Sequence, residues 1–476
     1  MGNKKHILIL LAALLFISCS TKPQADPYLF LARELDKGKI VMLGESKHQD
    51  VIHYFQVVNI IDAWINIHSE QQALPSKLVL ILETDSTFAN AINSYLDNAN
   101  DSLLKNDFIP YLTYEDMEFY YKLRKIKLRL NILNNNRTDK ISFEIRGFEL
   151  SGEDENLLRK TKSEMEKWFV ADRDEYSSSG MIKYMDNNKD CSYLILYGGA
   201  HLEDGYANKS KWVTLDKNES YGYYLFYYLK EKYGKDKILT VLLKAEAPDF
   251  LKNNFKEYYN NNAFIIEWKD LPFDLPNNSS YEMVLFQPGI QTYPHLLGYV
   301  FSRVVINRLL IKITQLEKFL PGFQAKKFMY GKCLNSIFFI TGNKFQNSGE
   351  VEKWVSDNKD YNGFERINSE QFKWDLYKVY TASLTYKDAI INLYNFGFTE
   401  SDFKIPVADS SDWHNRVWPG VIEKVKFINA IGLYWIGYDD EKKIAKRYLE
   451  QYSKEKYDNP VDYLKWYRKK FYDEDF

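Results

Sequence analysis

After the first seventeen residues, this chain of 476 residues has no run of about twenty consecutive apolar residues, so nothing beyond its start reads as a membrane-spanning helix. Cysteine is scarce, at three residues. There is no CxxC and no Cys/His array with zinc-finger spacing, which excludes a disulfide scaffold or a zinc finger. Net charge is only −2, and the acidic and basic residues are interspersed without a long single-sign tail. A general nucleic-acid partner therefore has no electrostatic support. GxGxxG, the P-loop, HExxH and GxSxG are all absent.

What is present begins with a targeting segment. Lys4 and Lys5 precede an apolar run, Ile7 to Ile17, that is too short to span a bilayer. Leu15-Phe16-Ile17-Ser18-Cys19 is similar to a bacterial lipobox, which predicts a signal peptide over 1–19 and lipidation at Cys19. The expected mature protein is tethered to a membrane of the bacterial cell envelope by that lipid. Cys191 and Cys333 are expected to be free buried thiols.

Residues 26–290 alternate between strand-like and helix-like patterns. The strand-like runs are Ile40–Leu43, Leu78–Leu82, Ile141–Ile145, Tyr193–Tyr197, Ile238–Leu243, Phe264–Trp268 and Met283–Phe286. Between them, Phe119, Leu123, Ile126 and Leu130 keep helical step. The pattern predicts an α/β domain, a mainly parallel sheet flanked by helices, with later strands pairing antiparallel at an edge. Residues 291–476 are expected to form a mainly helical C-terminal domain that can bind a protein partner. It should include a long helix over Gly298–Phe319 and a last helix begun by Asn459-Pro460. Ile337–Ile340 fits either a strand or the buried end of a helix.

Several strands end at glycine or at an ionisable group. Leu43-Gly44-Glu45-Ser46-Lys47-His48 follows the first run, and Tyr197-Gly198-Gly199-Ala200-His201-Leu202 follows another. Glu83 and the Arg146-Gly147-Phe148-Glu149 stretch close two more. In open α/β sheets ligands bind outside these carboxyl ends. Glu45, His48, Glu83 and His201 have the right donors for a divalent metal such as zinc. They are equally the groups for metal-free hydrolysis, with a histidine taking a proton from water, a carboxylate orienting it and Arg146 steadying an oxyanion. A bland alternative pairs Glu45 with Arg146 as a buried ion pair. His53 is expected to face solvent or the crevice, with solvent favoured. Tyr197 reads first as core, and Trp413-His414 as aromatic packing between helices.

Gly44-Glu45-Ser46-Lys47-His48 resembles the Gly-Glu-x-x-His signature of erythromycin-esterase-like proteins, and Glu83 matches their second acidic position. Asp116-Met117-Glu118-Phe119-Tyr120 and Arg146-Gly147-Phe148-Glu149 resemble further blocks of that group. Gly198-Gly199-Ala200-His201-Leu202 is similar to a block of the ChaN-like and Tiki/TraB-like relatives. The chain departs from the esterase pattern at Gln49 and Ile52, and where a second histidine would accompany His201. The resemblance implies an α/β fold over roughly residues 30–290. It also implies a small-molecule or peptide ligand for a hydrolase site, or haem held by His53 or Tyr197 as axial ligand.

Overall fold

The structure is a computed structural model. It describes residues 26–46, 51–70, 76–98, 112–135, 137–150, 170–203, 223–244, 263–271, 281–287, 295–318, 324–383, 385–405 and 407–472. The lipobox, Cys19 and His48 lie outside them.

Strands β1 (Ile40–Glu45), β2 (Ser76–Asp85), β3 (Ile141–Glu149), β4 (Cys191–Gly198), β5 (Ile238–Lys244), β6 (Phe264–Glu267) and β7 (Met283–Phe286) form one sheet in the order β3-β2-β4-β1-β5-β7-β6. All neighbours pair in parallel except β6 and β7, which are antiparallel, so the antiparallel pair sits at an edge as expected. Parallel neighbours need crossover connections. Helix α1 (Pro27–Asp36) precedes β1, and α2 (Val51–Glu70), α3 (Ser86–Asn98), α4 (Tyr114–Asn135), α5 (Val170–Asn187) and α6 (Leu225–Tyr233) lie in the connections between strands among the described residues. Val41, Met42 and Leu43 of β1 and Leu194 and Ile195 of β4 are fully buried, the signature of strands covered on both faces. Because β4 enters between β2 and β1, the carboxyl ends of the central strands bring together residues far apart in sequence.

Close backbone approach at those ends explains two glycines. A Cβ on Gly147 would lie 2.4 Å from the Thr84 carbonyl, where the β2–β3 register shifts. A Cβ on Gly44 would lie 2.5 Å from the Tyr281 hydroxyl. That hydroxyl donates to the Gly199 carbonyl at 2.7 Å.

The chain divides into two compact units. One comprises Met1–Asn98 and Leu123–Gln291 and holds the sheet; the other comprises Ala99–Lys122 and Thr292–Phe476. Helix α4 therefore begins in the second unit and ends in the first. Phe119, Leu123, Ile126 and Leu130 are all buried.

The second unit is helical: α7 (Arg303–Glu317), α8 (Gln324–Thr341), α9 (Ser348–Asp357), α10 (Gly363–Ile367), α11 (Glu370–Ser383), α12 (Lys387–Asn395), α13 (Trp418–Ile436), α14 (Asp439–Ser453) and α15 (Pro460–Tyr472), with shorter turns between. The long helix starts later than the apolar pattern predicts. Leu297–Tyr299 is a separate 3-10 turn, and the Ser302 hydroxyl caps α7 by accepting from the Val304 N–H at 3.1 Å. Ile337–Ile340 is the buried end of α8. Asn459 caps α15, its side-chain oxygen accepting from the Asp462 N–H at 3.0 Å. Trp413 is fully buried with its ring 5.0 Å from Tyr380, and His414 lies edge-on to Trp374 at 4.9 Å.

Buried charge ties the ends of this unit together. Arg468 on α15 reaches Glu115 at 3.1 Å and also pairs with Glu118, both in the first turns of α4. Burial pushes the Glu115 carboxyl up to about 7 against the pull of Arg468. Burial would raise Glu118 too, but Arg468 and Lys122 beside it hold it below the usual carboxylate range. Removing the single guanidinium leaves two buried carboxylates facing each other. Arg468→Met is expected to cost about 3–5 kcal/mol of stability in urea denaturation, and Glu115→Gln markedly less. A loss below about 1 kcal/mol for Arg468→Met would show that the cluster contributes nothing net.

Candidate functional site

The polar cluster lies at the carboxyl ends of β2, β3 and β4 and on the first turns of α5. Its centre is His201, in the 3-10 turn Gly199–Leu202 that immediately follows β4. The imidazole is 5 % exposed and meets a carboxylate at each nitrogen. Nδ1 lies 2.6 Å from Asp174 Oδ1, and Nε2 lies 3.4 Å from Glu83 Oε1. Asp174 is itself fixed, its second oxygen accepting from the Leu225 N–H at 2.9 Å. Glu83 accepts from Arg173 Nη2 at 3.0 Å and, through its other oxygen, from the Gly198 N–H at 2.8 Å. Arg173 Nε donates to Glu149 Oε2 at 2.9 Å, and the Ser177 hydroxyl donates to Glu149 Oε1 at 3.0 Å. The Tyr197 ring stands edge-on to the imidazole at 5.6 Å.

The electrostatics follow from this arrangement. Burial would lower the His201 pKa, but the carboxylates of Asp174 and Glu83 raise it to about 10. Burial would raise Glu83, but His201, the Gly198 N–H and Arg173 hold it at about 2. Asp174 is pushed above the usual range by burial, against the pull of His201. Arg173 is held in its charged form by Glu149 and Glu83 despite its burial. The cluster therefore sets an imidazole and a guanidinium among the carboxyl groups of Asp174, Glu83 and Glu149.

The sheet brings together Glu83 and His201, as the strand-end pattern predicts. Glu45 closes β1 and is paired in register with Gly198, whose N–H holds Glu83. Arg146 does not join the cluster. Residues two apart on a strand share a face, and the guanidinium turns back along β3 to Glu144, with Nε 3.1 Å from Oε1. It lies over the Tyr184 ring at 5.0 Å, and Lys77 completes that group. The ion pair weighed for Arg146 thus exists, but with Glu144 in place of Glu45. His53 is fully buried rather than facing solvent, its Nδ1 3.5 Å from Gln56 Oε1. Tyr197 is fully buried in β4, and burial together with the neighbouring Glu149 and Glu83 charges raises its phenol well above the ordinary value.

The cation that the sequence placed at Arg146 comes instead from Arg173. It and Asp174 carry no strand-end signature, since they belong to a helix that follows a long connection. The faint signal is Arg173 and Ser177, one helical turn apart, both reaching Glu149.

A zinc-like metal does not fit the described donors. A ligating imidazole needs a free nitrogen lone pair, whereas both nitrogens of His201 face carboxylates. The oxygens of Glu83 are already occupied by Arg173 and Gly198. Among the described residues, no group of three His, Cys, Asp or Glu side chains is arranged to hold a metal ion. Cys191 and Cys333 are free thiols, Cys333 buried and Cys191 only partly so.

No protein-family model matches the chain, and no curated protein matches it. Solved structures with a similar course of chain include a Bacillus cereus protein, at 10% identity over 57% of this chain and 96% of that one, with a TM-score of 0.36. Erythromycin esterase EreC, in an open conformation, is 10% identical over 55% of this chain and 94% of that one, with a TM-score of 0.33. ChaN of Campylobacter jejuni, described with cofacially bound haem, is 15% identical over 55% of this chain and 91% of that one, with a TM-score of 0.26. At TM-scores below 0.5 these likenesses add nothing to what the side chains themselves show.

The shifted groups give stability a defined pH window. The His201 pKa rises from 6.5 to about 10 on folding, so its contribution is complete below pH 6.5 and is lost as pH rises through about 10. The Glu83 pKa falls from 4.5 to about 2, so its contribution is complete above pH 4.5 and is lost as pH falls through about 2. In urea denaturation, the stability gap between wild type and His201→Gln is expected to be widest near pH 6 and to shrink steadily towards pH 10. A gap that widens with rising pH would mean that the ring is buried neutral.

Proposed function

We propose that the α/β unit is a hydrolase acting on an ester or amide carbonyl without a metal. The observation that carries this reading is the His201 imidazole, fixed between Asp174 and Glu83 outside the strand ends. With a pKa near 10 this ring is a poor base at neutral pH; it stays protonated and gives its proton only to a more basic group, such as a developing alkoxide or amine. Together with Arg173 it places positive charge where an oxyanion would develop, in a largely buried setting that strengthens the interaction. Glu83, held ionised by three donors, orients both cations. Glu45, partly exposed at the end of the neighbouring β1, is the acceptor for a proton from the attacking water. His201 then donates to the leaving group, and Asp174 holds the ring in place through both halves of the reaction.

The test is a screen of the purified chain against p-nitrophenyl esters, lactones and short peptide amides. Turnover is expected to survive prolonged dialysis against EDTA. His201→Gln and Glu83→Gln are expected to lower kcat by about 10²–10⁴-fold, while Arg146→Ala leaves it near the wild-type value. Absence of turnover on every substrate, or turnover indifferent to both site substitutions, would end the proposal.

We also propose that the protein is a lipid-anchored lipoprotein of the bacterial envelope, on the strength of the Lys4/Lys5, apolar-run and Cys19 pattern. Cells expressing the full chain should incorporate labelled palmitate into it, and Cys19→Ala should abolish that incorporation and release the protein from membranes. Labelling that persists in Cys19→Ala would assign the lipid elsewhere.

A further inference from the structure

The helical unit carries two neighbouring cavities that the proposed hydrolase site does not use. One, of about 200 Å³, lies among α7, the end of α9 and the start of α14, with Trp354 and Tyr438 as aromatic walls and Asn307 and Asn358 as amide edges. The other, of about 190 Å³, is lined by Tyr361 and Ile444 among others. Arg303 lines both.

The walls are held rigidly. The Arg303 guanidinium lies 5.2 Å from the centre of the Tyr438 ring, pairs with Asp440, and donates through Nη1 to the Lys359 carbonyl at 3.2 Å. Asn307 Nδ2 donates to the Tyr438 hydroxyl at 3.1 Å, which orients both side chains. Trp354 is braced edge-on by Tyr361 at 5.4 Å and by Phe345 at 6.3 Å. The Asn358 amide donates to the Trp354 carbonyl at 2.8 Å, so its side-chain oxygen is directed elsewhere. Tyr438 nevertheless remains 44% exposed.

These features select a ligand chemistry. Aromatic faces pack against a flat apolar surface, and amide groups with fixed orientation bind hydroxyls. Across the two cavities the cations Arg303 and Lys359 stand against the acids Asp360, Asp440 and Glu441, with Arg303 paired to the last two, so the face carries no surplus cation to attract an anion. Each cavity is smaller than the roughly 300–1,000 Å³ of a drug-sized ligand pocket, a size that suits one sugar ring. We propose that this face of the helical unit binds a neutral saccharide, one ring against Trp354 and Tyr438 and the next beyond Arg303.

Isothermal titration calorimetry of the purified chain with cellobiose, maltose and chitobiose tests the proposal. At least one is expected to bind saturably, and more tightly than its monosaccharide. Trp354→Ala is expected to weaken that binding about tenfold or more. Asn358→Ala, at an exposed position that leaves the fold intact, is expected to weaken it several-fold, and His201→Gln to leave it unchanged. No saturable binding by any of the three sugars, or binding that both Trp354→Ala and Asn358→Ala leave intact, would overturn it.

Discussion

A histidine held between two carboxylates is the constraint around which the α/β unit is arranged. His201 has a carboxylate at each ring nitrogen, and each carboxylate is immobilised by a backbone N–H, Asp174 by Leu225 and Glu83 by Gly198. Unpaired, any of these buried charges would be costly; together they compensate one another. The arrangement needs four elements at once: β2 for Glu83, β4 and its following turn for Gly198 and His201, α5 for Asp174 and Arg173, and α6 for Leu225. The strand order that inserts β4 between β2 and β1 places the first two side by side.

How much of this the sequence discloses depends on where each residue lies. Strand ends are legible, because an apolar run that stops at glycine or at an ionisable group marks the edge of a covered sheet. Glu83 and His201 are found that way. Arg146 has the same outward signature and is misleading. Its direction is set by Glu144 two residues earlier on the same face of β3, a contact that no strand-end rule weighs. Arg173 and Asp174 are invisible for the opposite reason. They are ordinary charged residues on a polar-looking helix, and only tertiary packing turns them inward. His53 is similar, since a polar residue off the apolar row of a helix reads as exposed, yet this one is fully buried.

In the helical unit the same contrast recurs. Periodicity reveals the helices, and Asn459-Pro460 reveals the start of the last one. The boundary at Arg303 follows from a hydroxyl cap and a preceding 3-10 turn that hydrophobic pattern does not encode. The Asp116–Tyr120 block, part of the likeness to esterase-type proteins, has a structural role here. Asp116 accepts from the Thr113 N–H at 2.7 Å, and Glu118 meets Arg468 from the far end of the chain. A local motif is thus recruited by a contact between residues 350 positions apart.

The protonation state of His201 is the central claim, and nitrogen-15 NMR of the imidazole reads it directly. The account predicts that at pH 8 both ring nitrogens of His201 show the shifts of an imidazolium, and that Asp174→Asn moves the ring's titration midpoint down towards its ordinary value near 6.5. A neutral single-tautomer ring at pH 8 in the wild-type protein would contradict it.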